Sequence, residues 1–296
     1  MKLFIFLSVA ICQCFAATTV ELLAGDPKYS TLVSLVTKAG LVDAINGGTF
    51  TIFAPNNNAF AAIPSADLTA LGNDINALTN VLKYHVVQGT VASAAAKNEL
   101  QLTTLNGQKL RFNVYDHNNA VTVQGCQIVG FDQTASNGII HELFRVMMPP
   151  TGDIVDVVAK SPELSTVLSL VQTAGIASVL RGDALTLFAP TNDAFARLPS
   201  STVDRLTKDT ALLTEILEYH VVPHTEYSPG LYEREFLRTA DRNHDRIQVH
   251  VDSSGVRINS DGRVTKADIG TTNGVIHEID HVLIPLRYRL TLAVGK

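Results

Sequence analysis

Apolar residues at Leu32, Leu35, Val36 and Ala39 recur at the i, i+3, i+4, i+7 spacing of an amphipathic helix, with Gly40 at its end. The stripe returns at Val167, Leu170, Val171 and Ala174, followed by Gly175. A short apolar run comes next in each case, Phe50-Thr51-Ile52-Phe53 or Leu185-Thr186-Leu187-Phe188, and predicts a buried strand. Pro55 or Pro190 ends it, and the Asn and Asp residues behind suit the start of a short helix. A further helix is predicted around Leu78, Val81 and Leu82, or Leu213, Ile216 and Leu217, running into Tyr-His-Val-Val. The pattern then changes period. Leu110, Phe112 and Val114 alternate with other positions, as do Ile247, Val249 and Val251; Val121/Val123 and Val256/Ile258 follow the same rule. Helices first and strands later predict an α+β fold, a small antiparallel β-sandwich packed beside helices.

The two halves share phrases as well as periods. TFTIFAPNNNAF (Thr49 to Phe60) returns as ALTLFAPTNDAF (Ala184 to Phe195), and LKYHVV (Leu82 to Val87) as LEYHVV (Leu217 to Val222), 135 residues on. NGIIHEL from Asn137 returns as NGVIHEI from Asn273 at an offset of 136, so one residue is inserted between Val123/Ile258 and Asp132/Asp268. A unit of this length is a tandem domain; solenoid repeats run about 20–50 residues. The reading divides the 296 residues into a leader 1–17, domain 1 at 18–149, a linker 150–152, domain 2 at 153–289 and a tail 290–296. Pro149-Pro150 restricts the backbone at the join.

The leader, MKLFIFLSVAICQCFA, has a basic start, an apolar run and small residues at its end, the pattern of a secretory signal peptide. Its apolar run is shorter than the ~20 residues a bilayer span needs. A soluble, secreted product without stable membrane insertion is therefore expected. Cleavage would remove Cys12 and Cys14 and leave Cys126, read as a buried thiol or as a partner for another chain. Loss of Lys2 takes the formal charge from −5 to about −6. With no basic stripe, nucleic acid is not an expected partner. No N-x-Ser/Thr glycosylation sequon is present.

Three short motifs suggest chemistry. His277-Glu278-Ile279-Asp280-His281 spells HExxH, a zinc-protease signature that works on a helix, where both imidazoles reach one ion. The flanking Val, Ile and Leu residues after Asn273-Gly274 predict a strand, which would hold the two histidines roughly 13 Å apart. The first copy has Arg145 in place of His281, so neither metal nor catalytic residues are assigned here. Asp241, Asn243 and Asp245 imitate a calcium loop, but Arg246 stands where glycine is needed. Arg181-Gly182-Asp183 is the tripeptide read by many integrins, through its guanidinium and a carboxylate that completes a receptor's metal site. It falls in a short turn where domain 1 has Asn46-Gly47-Gly48.

The doubled FAPNNNAF/FAPTNDAF, YHVV and NG-Ile/Val-Ile-His-Glu phrases, each copy closing on Pro149 or Pro285, resemble the fasciclin-type domain, present twice. The resemblance covers nearly the whole chain after the leader. It implies two wedge-shaped β-sandwiches with helical caps, and a role like that of periostin-like secreted adhesion and matrix proteins. It implies partner-binding candidates at Tyr84-His85 and Tyr219-His220, implicated in the family in integrin-dependent adhesion, and at the Asp268-Ile269 pair, where domain 1 has Asp132-Gln133. Arg181, Gly182 and Asp183 join them on their own chemistry. The reading is therefore a secreted, non-catalytic adhesion or matrix protein that needs no cofactor and binds an integrin-type receptor or a matrix component. The alternatives are a small-molecule-binding or enzyme-accessory protein using a pocket or the interdomain cleft, and an apolar-ligand carrier. Against the motifs stands a structural reading. The Tyr-His flanks call for burial, the repeated His141 and His277 suit a buried polar bond near the turn, and the tripeptide suits a plain connecting turn.

Overall fold

The computed structural model describes residues 16–292; the expected leader lies almost wholly outside these. In domain 1 the chain forms α1 (Thr19–Gly25), α2 (Ser30–Lys38), α3 (Val42–Asn46), β1 (Phe50–Pro55), α4 (Asn57–Ala61), α5 (Ser65–Asn73), α6 (Ile75–Tyr84) and β2 (Val86–Gln88). Five strands follow: β3 (Gln101–Thr103), β4 (Lys109–Tyr115), β5 (Ala120–Val123), β6 (Cys126–Ala135) and β7 (Gly138–Leu143). Domain 2 opens with α7 (Ile154–Lys160), α8 (Ser165–Ala174), β8 (Leu185–Pro190), α9 (Asn192–Ala196), α10 (Ser200–Lys208), α11 (Thr210–Tyr219) and β9 (Val221–Val222). It closes with β10 (Phe236–Arg238), β11 (Arg246–Asp252), β12 (Gly255–Ile258), β13 (Gly262–Gly270), β14 (Gly274–Ile279) and α12 (Leu286–Arg289).

Each domain has a seven-stranded sheet, ordered β2-β1-β7-β6-β5-β4-β3 and β10-β11-β12-β13-β14-β8-β9. All pairings are antiparallel except β1 with β7 and β8 with β14, which are parallel. The sheet of domain 1 curls until its two edges meet through a bridge between Val87 and Thr104. Leu110, Phe112, Val123, Ile128 and Leu143 fill its inside, and a second core of Leu23, Leu32, Val36, Ile52, Leu78 and Leu82 joins the sheet to the helical cap. Domain 2 repeats both cores.

The stripe predicted at Leu32–Ala39 is α2, with Leu32 and Val36 buried. Helices α1 and α5 carry weaker local patterns. Helix α1 is set by a capping box in which Thr18 accepts from the Glu21 amide and Glu21 accepts from the Thr18 amide; Asp153 and Asp156 repeat it at α7. Strand β11 turns Ile247 and Val249 inward as predicted, while Val251 near its end is exposed. Strand β4 does not alternate. Arg111 and Asn113, on its outer face, are buried together with Leu110 and Phe112 because domain 2 covers that face.

The Asn-Gly phrase stands at the tight turn its composition suggests, between β6 and β7 and between β13 and β14, and has a further job. Gly138 and Gly274 are first residues of strands, outside the connecting loops. Asn273 accepts from the Ile154 amide at 2.9 Å and donates to the Leu180 and Gly182 carbonyls at 2.8 and 2.7 Å. It thus ties the start of α7 to the loop entering β8. Asn137 does the same for Thr19 and Ile45.

Candidate functional site

The Tyr-His pairs lie inside the domains. Tyr84 ends α6 fully buried, its hydroxyl donating to the Lys109 carbonyl at 3.1 Å; Tyr219 donates to the Arg246 carbonyl at 3.1 Å and accepts from Asn259. His85 faces the Val81 carbonyl through Nδ1 at 2.8 Å and accepts the Met147 amide at Nε2 at 3.0 Å. His220 repeats this with the Ile216 carbonyl and the Leu283 amide, at 2.7 and 2.8 Å. A carbonyl on one nitrogen and an amide on the other define the neutral Nδ1–H tautomer. Each ring joins the end of its helix to the segment after the last strand.

Burial lowers both histidine pKa values to about 4, from an ordinary 6.5. The folded chain then binds fewer protons than the unfolded chain at pH values between these two. The stability each ring contributes is complete above about pH 6.5 and is lost as the pH falls toward 4, about 3 kcal/mol per site by linkage. Thermal melts of the intact chain should fall steeply from pH 7 to pH 4. In a His85→Gln/His220→Gln chain, which starts lower, this part of the slope should be missing.

A second histidine pair stands at the repeated NG-Ile/Val-Ile-His phrase. His141 faces the Val91 carbonyl at 2.8 Å, accepts the Asp132 amide at 3.3 Å and stacks on Phe53. His277 does likewise with the Glu226 carbonyl, the Asp268 amide and Phe188. His277 therefore has both ring nitrogens occupied within strand β14, while His281 lies beyond the strand's end against Asp280. The calcium-like run is also internal. Asp241 is fully buried and accepts from the Asn243 and Asp245 amides, Thr239 and Arg287, folding its own turn.

Asp132 and Asp268 sit in β-bulges of β6 and β13 at φ values of 54° and 61°. The bulge turns each carboxylate to a serine on a neighbouring loop. Asp132 accepts from the amide and hydroxyl of Ser93, which hold its pKa below the usual range, and Asp268 accepts from both groups of Ser228. The aspartate role is thus common to both copies, while Gln133 and Ile269 differ. Ile269 packs against the domain 2 core. Arg145 of domain 1 reaches Asp268 at 3.4 Å.

Arg181-Gly182-Asp183 leaves a 3-10 turn (Val179–Arg181) at the domain surface. Arg181 pairs with Asp153 and Asp156 at the start of α7. Asp183 reaches the other domain, with one oxygen on Arg111 and the other on Gln101 Nε2 at 2.9 Å. The structure thus brings Asp183 and Asp268 to the junction between the domains and leaves Tyr84, His85, Tyr219 and His220 in the two interiors.

That junction is the feature sequence reasoning missed. The segment Thr225–Tyr227 lies on the outer face of β4. Glu99 bonds Arg111 at 2.6 Å and accepts from the Thr225 amide and hydroxyl at 2.9 and 2.6 Å. Asn113 donates to the Thr225 hydroxyl at 2.6 Å, and the Tyr115 hydroxyl accepts the Tyr227 amide at 3.1 Å. A Cβ at Gly125 would stand 2.2 Å from the Tyr227 ring, and one at Gly230 2.0 Å from the Tyr115 ring, so both glycines let the domains close. The available signal was the exchange of Arg111, Asn113 and Tyr115 for Gln248, His250 and Asp252 at the matching strand positions of the second copy. Beside the junction a cleft of about 320 Å³ is lined by Arg145, Met148, Pro149, Val157, Asp268 and Ile269, among others. Cys126 borders it as a buried free thiol whose pKa burial pushes up to about 12. Among the described residues no helix is long and apolar enough to cross a membrane.

Two copies of one α+β unit, with the same histidine and aspartate bonds at matching positions, define a tandem-domain protein. A family model described as "Fasciclin domain" matches residues 27–149 and 162–285, and the chain belongs to that family. It is 31% identical over 241 residues to transforming growth factor-beta-induced protein ig-h3 of Sus scrofa and 32% identical over 241 residues to periostin of Homo sapiens. Each alignment covers 80% of this chain but only 35% and 28% of those proteins, so the chain spans about a third of their length. Protein sll1483 of Synechocystis is 39% identical over 138 residues, covering 46% of this chain and 75% of that one. A solved FAS1 domain pair from the insect cell adhesion molecule Fasciclin I is similar at 20% identity and a TM-score of 0.42, covering 88% of this chain and 98% of that one.

Proposed function

We propose that this chain is a secreted, non-catalytic adhesion or matrix-associated protein that acts by presenting the outer surface of its paired domains to a receptor or matrix component. The observation that carries the reading is the extent of the likeness to periostin and ig-h3, which runs through both domains over 80% of the chain. The internal engagement of the Tyr-His pairs supports a surface-presenting scaffold, because these side chains hold the domains that carry the surface.

Plastic coated with the intact chain should support saturable cell attachment well above an albumin coat. Attachment no better than albumin, together with no retention on matrix extracted from cultured cells, would remove the proposal. The second reading, a small-ligand protein, has the interdomain cleft behind it. There Arg145 makes a single 3.4 Å contact and faces an apolar wall of Met148, Pro149 and Val157. A chain that fails to support attachment but melts higher with small apolar carboxylates would favour that reading.

A further inference from the structure

Receptor recognition of Arg-Gly-Asp chemistry needs an aspartate carboxylate free to complete the shell of a divalent cation. In this chain both Asp183 oxygens are taken by domain 1, one by Arg111 and one by Gln101. We propose that Arg181-Gly182-Asp183 is a conditional receptor ligand, masked by domain 1 while the domains are docked and released when their junction parts. The partner is a receptor that presents a divalent cation to Asp183 and a carboxylate to Arg181. The proposal rests on the adhesion reading and adds a switch to it.

Three features of the geometry carry it. First, the mask is a buried device. The Arg111 side chain is only 6% exposed and is held from its other side by Glu99, which in turn grips Thr225 of domain 2. A guanidinium buried in such a network is expensive to strip of its partners, so it competes strongly for the carboxylate. Second, the masked group is itself accessible. The Asp183 side chain is 64% exposed, so losing two contacts frees it without unfolding anything. Arg181 is itself half-exposed and pairs only with Asp153 and Asp156 of its own domain, surface contacts that hold it weakly. Third, the turn keeps its shape without domain 1, because Asn273 of domain 2 fixes the Leu180 and Gly182 carbonyls. Domain 1 has Asn46-Gly47-Gly48 at the matching place, so the device exists once.

Two variants of the intact chain open the mask by unrelated routes. Arg111→Gln removes the donor. Gly230→Val leaves Arg111 in place and drives a side chain into the Tyr115 ring across the junction, where even a Cβ would stand at 2.0 Å. Both should gain at least tenfold in divalent-dependent cell attachment at equal coating, and a soluble Arg-Gly-Asp peptide should block the gain. Asp183→Glu added to either should abolish it, since the extra methylene displaces the carboxylate from the cation. Attachment to the wild-type coat should ignore the peptide. Peptide-sensitive attachment of the wild type would overturn the proposal. So would variants that gain nothing although small-angle scattering shows Gly230→Val to be more extended than wild type. A wild-type coat that supports no attachment, beside variants that do, would uphold the mask while removing constitutive adhesion.

Discussion

Gly274→Ala should abolish the cooperative folding of domain 2. Strands β14 and β8 run parallel with Gly274 beside Leu185, and a Cβ on Gly274 would stand 1.9 Å from the Leu185 carbonyl oxygen and 2.8 Å from its carbon. Both obstacles are backbone, so no side-chain rotation relieves them. Real contacts of this kind stay above 3 Å, so the strands would have to separate by about 1 Å where Leu187 and Ile276 close the core. The neighbouring Asn273 would be drawn off Ile154, Leu180 and Gly182 in the same movement. Strain of this kind belongs with the exceptional substitutions, at about 4 kcal/mol or more. Hydrogen exchange of the intact variant should show protection lost across β8 and β14 and retained across β1 and β7. A wild-type melt and exchange pattern would show that the close approach is not a constraint. A Cβ on Gly138 would likewise stand 1.9 Å from the Phe50 carbonyl oxygen, the parallel case in domain 1.

This glycine also shows how far the sequence could be read. The doubled phrases revealed the tandem, and the change from helical to alternating periodicity gave the α+β order within each copy. The strand over the HExxH-like stretch followed from its β-branched neighbours, and β14 lies there as far as Ile279, short of His281. The whole reason for Asn-Gly did not follow. Its composition suggests a turn, and the turn is there, but the glycine also answers to a parallel strand about ninety residues away in sequence. A contact of that range leaves no local periodicity. The junction was hidden for a related reason. Arg111 and Asn113 look like ordinary outward polar residues of a half-exposed strand, and only the docking of Thr225–Tyr227 buries them. Helix α5 was missed because its stripe is weak, Gly72 being its only fully buried residue. The Arg181-Gly182-Asp183 tripeptide was visible as chemistry, but its partners Arg111 and Gln101 belong to the other domain.

Tyr219→Ala should destabilise domain 2 by about 3–5 kcal/mol, the range for removing a large buried ring. The ring is 3% exposed and packs with Phe188, Val222, Ile247 and Leu283 inside the curled sheet. Its hydroxyl also joins the end of α11 to β11 through the Arg246 carbonyl and holds Asn259. Tyr219→Phe keeps the ring and loses only these bonds, at about 1 kcal/mol. The contrast between the two variants separates packing from hydrogen bonding. Equal losses would mean that the hydroxyl bonds, and not the ring, carry the contribution. Tyr84, bonded to Lys109 in the equivalent place, should give the same contrast in domain 1.

Under the proposed adhesion role, the Tyr-His pairs act by holding the domains, not by touching the partner. The most direct measurement is cell attachment to the intact Tyr84→Phe/Tyr219→Phe chain, set beside its melting curve and taken well below the melt. The account predicts attachment within about twofold of wild type and a lowered melting temperature, since both hydroxyls are bonded internally. Attachment lost with an unaltered melt would contradict it and return the tyrosines to the binding surface.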